Sequence, residues 1–227
     1  MHWLARARAE LVPPSASPRD VLVDVGCGGG ILSAFVRGYL HVGVDLTQSA
    51  LVVARARGVV PVRADAAALP LAAGVAHVVV AGEVFEHVAD LEGAVAEVSR
   101  VLRPGGVVVV DTISATRRAL LALVTVGEWL PGGPPRRIHD PELFVAPARL
   151  IGLFAEHGVE LRVAGLRPSA IDYLRFLLGR RRPVRMLPSR SLAGIYQGVG
   201  HKQGCDPRGR APTSPATGRA LRSPADQ

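Results

Sequence analysis

The most direct chemical suggestion in the chain comes from three side chains in EVFEHVAD, residues 83–90: Glu83, Glu86 and His87. If this stretch opens an α-helix, offsets of three and four residues put two carboxylates and an imidazole on one face. Two oxygen donors and one nitrogen donor suit a divalent cation with positions left open for a chelating substrate. The cation would lower the pKa of a bound hydroxyl and orient it for attack. The same residues also fit a metal-free site, with His87 packed over the substrate or acting as base and Glu86 beside it. His139 is a second candidate base, and as a lone histidine near a Gly- and Pro-rich loop it fits a capping or loop role equally well.

A second constellation, VLVDVGCGGGIL at residues 21–32, is built for a nucleotide. An apolar strand carrying Asp24 runs into Gly26, Gly28, Gly29 and Gly30, and a helix is expected over residues 31–39. Such a turn brings backbone N–H groups and a positive helix end close to a ligand with no Cβ in the way. The dinucleotide spacing of glycines at relative positions one, three and six fails here, since the sixth position is Ile31 or Ser33. Asp45 ends the next strand, HVGVDL, and is placed to accept hydrogen bonds from both hydroxyls of a ribose, although an acid at a strand end also serves as a helix cap.

These residues must be positioned by alternating strands and helices. Strands are expected at residues 21–25, 41–46, 61–64, 75–81, 107–111, 159–166 and 192–199, with helices over 2–12, 49–57 and 91–102. That alternation predicts an α/β, Rossmann-like, seven-stranded, mostly parallel sheet with helices on both faces. The organisation expected is an N-terminal segment over residues 1–20 that partly caps the cofactor, a catalytic domain over 21–203, and a Pro-, Ser-, Arg- and Gly-rich disordered tail over 204–227.

Two segments stand apart. Residues 112–138 hold a lid, and within it ALLALVTVGEWL reads either as a buried cover over the site or as a surface that docks on a membrane. Residues 167–190 form a basic insertion, either an extension of a patch facing anionic lipid or a solvated surface. No segment has the roughly 20 apolar residues of a spanning helix, and the first residues lack an apolar signal region, so a cytoplasmic protein with an inner-face peripheral association is expected. Cys27 and Cys205 make neither a disulfide framework nor a zinc pattern. The net charge of +8 rests almost wholly on arginine, Lys202 being the single lysine, and no aromatic platform accompanies it, so no nucleic-acid partner is expected.

DVGCGGGIL at 24–32, EVFEHVAD at 83–90, LRPGG at 102–106 and HDPELFVAPARL at 139–150 together resemble the ubiquinone-biosynthesis O-methyltransferases, a family of class I S-adenosylmethionine (SAM) dependent methyltransferases. The resemblance covers roughly residues 6–165. It implies SAM as cofactor, held by Gly26, Asp45, Gly82 and an arginine ahead of the first strand at Arg6, with Asp24 and Gly28 in the same turn and Asp65 facing the adenine amino group. It further implies a Mg-like ion at Glu83, Glu86 and His87, and methyl transfer to a catechol-like or phenolic hydroxyl of a polyprenylated quinone precursor. A small-molecule methyltransferase of secondary metabolism is the nearest alternative, and a non-catalytic SAM-binding, membrane-docking protein is an alternative of another class.

Overall fold

The computed structural model describes residues 2–116, 143–179 and 183–204. His139, most of the lid segment and the tail from residue 205 lie outside the described residues.

Eight strands form one sheet: β1 (Val21–Val25), β2 (Leu40–Asp45), β3 (Val60–Arg63), β4 (Ala76–Gly82), β5 (Leu102–Ile113), β6 (Val159–Pro168), β7 (Met186–Ser189) and β8 (Ile195–Lys202). Their order is β3-β2-β1-β4-β5-β8-β6-β7. β1 to β5 pair in parallel, and β8 lies antiparallel between β5 and β6. The expected seven-stranded sheet is therefore present with one addition. β7, which pairs antiparallel with the end of β6, comes from the basic insertion, and the last strand begins at Ile195 rather than at residue 192.

β4, AHVVVAG, is apolar beyond His77 because both of its faces are covered. Val79 and Ala81 join the larger core with α3 (Leu91–Val101) and α4 (Pro147–Glu156), while Val78 and Val80 join Leu22, Leu32 and Val109 on the other face. α3 starts where the Asp90 side chain accepts a hydrogen bond from Gly93 N at 2.8 Å. At its far end Lys202 donates to the Ser99 and Leu102 carbonyls at 2.7 and 2.8 Å, which ties β8 to the end of the helix. LRPGG belongs to β5, with Arg103 to Gly106 looped out between the pairings of Leu102 and Val107.

The crossover after β1 departs from expectation. Instead of a helix over residues 31–39, a single 3₁₀ turn covers Ile31–Ala34. Too little chain separates Gly30 from β2 for a longer helix, and Ser33 Oγ donates back to the Gly30 carbonyl at 2.9 Å. The glycine turn is thus followed by no long helix whose dipole would add to its amides. α1 (His2–Ala9) is shorter than expected and leans over this turn. α2 (Gln48–Ala56) follows β2, and α5 (Ala170–Leu177) lies in the insertion.

Candidate active site

The carboxyl ends of β1, β2 and β4 open onto a cleft in two parts. One, of about 250 Å³, is lined by Ala5, Arg8, Asp24, the glycine turn, Gly82, Glu83 and His87. The other, of about 740 Å³, is lined by Asp45, Thr47, Asp65, Val84, Val88 and neighbours. Gly26, Glu83 and His87 border both.

Gly26 has φ of +66°, and a Cβ there would overlap Val84 Cγ2, so backbone and space both demand glycine. Gly28 N donates to Asp45 Oδ2 at 2.8 Å, and Thr47 N donates to Asp45 Oδ1 at 2.8 Å. Asp45 therefore clamps the glycine turn to the start of α2, the capping role, and its carboxylate still borders the larger cavity, where its remaining lone pairs can take ribose hydroxyls. Asp24 is buried beside His41, whose Nε2 is 3.3 Å from Asp24 Oδ2. Asp65 is exposed at the rim of the larger cavity and accepts from Ala67 N at 2.9 Å. Burial, with Asp24 and Asp45 nearby, pushes the Cys27 thiol up to about 12, so it is held as an inert thiol.

Arg6 is not at this cleft. It is exposed, 3.6 Å from Glu10, and borders a separate cavity. The arginine of α1 that reaches the site is Arg8, two residues on and so on the opposite, inward face. Its guanidinium pairs with both Asp111 oxygens, through Nε and through Nη2 at 2.9 Å, and Nη2 lies 3.3 Å from Glu83 Oε2. Burial opposes the charge, but Asp111, Glu83 and Asp24 more than reverse this and raise the Arg8 pKa. The guanidinium crosses directly over Gly82, where any Cβ would collide with it. Arg8 and Asp111 were missed in the sequence. The available signal was Asp111 itself, a lone acid in the apolar run VVVVD, since a buried carboxylate needs a cation.

The stretch from Gly82 does not open an α-helix. Glu83 has φ of +56°, in the left-handed region, and donates its N–H to the Asp111 carbonyl at 2.9 Å. Phe85–His87 then makes one 3₁₀ turn, and Val88 is extended. This separates the three expected ligands. Glu83 turns to Arg8, His87 stands exposed between the two cavities, and Glu86 is buried with Oε2 accepting from Thr112 Oγ1 at 2.6 Å. Burial pushes the Glu86 carboxyl up to about 8, against the Thr112 hydrogen bond. Glu83 is also raised, by burial and by Asp111, against Arg8. Among the described residues no three His, Cys, Asp or Glu side chains converge on a metal-sized point. Here Glu83, Glu86 and His87 do not fit a divalent ion.

A mostly parallel sheet whose first strand runs into an acid-clamped glycine turn at the mouth of a cleft is the fold of a class I methyltransferase, with SAM as its cofactor. A methyltransferase-domain family model matches residues 23–110. The ubiquinone biosynthesis O-methyltransferase of Ralstonia nicotianae is 38% identical over 170 residues, which cover 70% of this chain and 68% of that one. The protein of the same name from a Methylobacterium species is 39% identical over 174 residues, 67% of this chain and 70% of that one. In fold, the chain is similar to a SAM-dependent methyltransferase from Thermotoga maritima, with a TM-score of 0.65 at 18% identity over 89% of each chain. The chain belongs to the ubiquinone biosynthesis O-methyltransferase family. It spans between 59% and 70% of the length of relatives of that name.

Proposed function

We propose that this protein transfers the SAM methyl group to a phenolic hydroxyl of a catechol-like, polyprenylated quinone precursor. The observation that carries this reading is the position of His87, exposed at the border of the two cavities. SAM supplies an electrophilic methyl on a sulfonium. The glycine turn and Asp45 hold the nucleoside side of the cleft. Arg8, held by Asp111 and Glu83, lines the smaller cavity beside the glycine turn, and its guanidinium N–H groups are the donors there for a carboxylate of the cofactor. His87 accepts the phenolic proton on an imidazole nitrogen as the oxygen attacks the methyl carbon and the carbon–sulfur bond breaks. A polyprenyl tail partitions into lipid, so the enzyme works at the inner face of a membrane.

The test is methyl transfer from labelled SAM to a short-chain prenylated catechol and to its unprenylated analogue, each with and without chelator. O-methylated product, formed more efficiently from the prenylated acceptor and insensitive to chelator, is expected. SAM binding without methylation of either catechol overturns the acceptor, and chelator-sensitive turnover overturns the metal-free assignment of the turn at Glu83.

A further inference from the structure

Asp24 stands in the wall of the smaller cavity with its carboxylate almost wholly inside the protein. A charge buried to that extent needs a donor. Arg8 is near enough to feel the charge, but its Nε and Nη2 are turned to Asp111 and Glu83. Among the described residues the hydrogen-bond partner of Asp24 is His41, through Nε2, 3.3 Å from Oδ2, while Oδ1 takes no protein donor.

The parallel register of β1 and β2 brings the pair together. Leu22 lies beside His41 and Asp24 beside Gly43, so His41 reaches Asp24 on the diagonal, two residues along the same face. Gly43 contributes no side chain at that point. His41 is itself buried in the strand, where an imidazole without a partner would cost stability. It borders neither part of the cleft, so whatever it does for a ligand it does through Asp24. The smaller cavity then carries a cation at Arg8 and an anion at Asp24, the complement of the carboxylate and ammonium of an α-amino acid.

We propose that His41 is a positioning residue for cofactor binding: its Nε2–H holds Asp24 Oδ2 and so leaves Oδ1 to accept a hydrogen bond from the ammonium of the amino-acid part of SAM. The inference rests on the reading that places this part of the cofactor beside Arg8, and it names the residue that stands behind the site. A carboxylate without that hold is free to turn about its side-chain torsions, and the ammonium then meets it in fewer of its orientations.

Calorimetric titration of the full chain with SAM and with 5′-methylthioadenosine, which keeps the nucleoside and lacks the amino acid, tests it. His41→Leu should weaken SAM about tenfold and 5′-methylthioadenosine by less than about twofold. His41→Gln, whose amide N–H has the reach of Nε2, should stay within about threefold of wild type for both. His41→Asn, whose amide stops short of Asp24, should repeat the loss and replaces His41→Leu if that variant does not fold. Asp24→Asn should weaken SAM about tenfold or more, and His41→Leu added to it should change the affinity by less than about twofold, because the carboxylate it positions is gone. Equal losses for the two ligands, or the same loss with and without Asp24, would make His41 a purely structural residue and overturn the proposal. Asp24→Asn that weakens SAM while His41→Leu and His41→Asn do not overturns the role of His41 and leaves the cofactor placement standing. Asp24→Asn with unchanged SAM affinity overturns both.

Discussion

The two ends of the cofactor cleft are built from similar residues in opposite ways. At the β1–β2 end, Asp45 holds the amides of Gly28 and Thr47, partners near it in chain or in the adjacent strand, and its carboxylate stays at the cavity. At the β4 end, Glu83 and Glu86 are taken by remote partners, Arg8 and Thr112, and Glu86 leaves the cavity altogether. A glycine turn dictates its own geometry, whereas a turn whose shape depends on long-range ion pairs does not reveal which way its side chains point.

The largest effect expected from breaking this contrast is at Arg8. Arg8→Ala leaves Asp111 buried with no cation, a loss of about 3–5 kcal/mol of stability, measured by urea unfolding at neutral pH. Loss of less than about 1 kcal/mol would mean that the β4 end does not depend on this pair. His87→Ala follows: removal of a positioned base should lower kcat about 10²–10³-fold with SAM Kd unchanged, measured by calorimetry and single-turnover methylation. A parallel fall in SAM affinity would instead make His87 part of the cofactor cradle.

At the other end, Asp45→Ala removes the acceptor for two backbone amides and, with it, the carboxylate proposed to take the ribose hydroxyls. SAM binding should weaken about 100-fold, equivalent to about 3 kcal/mol, with little change in Tm because the site is half-exposed. An unchanged Kd would reduce Asp45 to a clamp on the glycine turn.

This contrast also explains what was legible in the sequence. The strands of the parallel half and the glycine turn follow from local patterns, because apolar runs and glycine clusters act over a few residues. The short crossover after Gly30, the added strand β7 and the placement of Arg8 rather than Arg6 do not. The crossover is set by the distance to β2, β7 by pairing with β6 far along the chain, and the arginine by which face of α1 meets Asp111, 103 residues away. The spacing of Glu83, Glu86 and His87 predicts one face of an α-helix. The left-handed backbone of Glu83, fixed by its N–H bond to the Asp111 carbonyl, redirects all three.

Glu86 offers the finest test of that redirection. Its carboxyl is pushed from 4.5 up to about 8 by burial, so between those values the folded chain holds a proton that the unfolded chain has released. The stability this group contributes is complete below pH 4.5 and is lost as pH rises through about 8. Glu86→Gln keeps a neutral acceptor for Thr112 and removes the titration. Urea midpoints measured from pH 5 to pH 8 should therefore fall in wild type and stay flatter in the variant, by about 1–3 kcal/mol across the window. Glu83, raised in the same direction, is present in both proteins, so the difference isolates Glu86. Parallel profiles would mean that the Glu86 carboxylate ionises near its ordinary value, as a side chain open to the cleft and available as a ligand would.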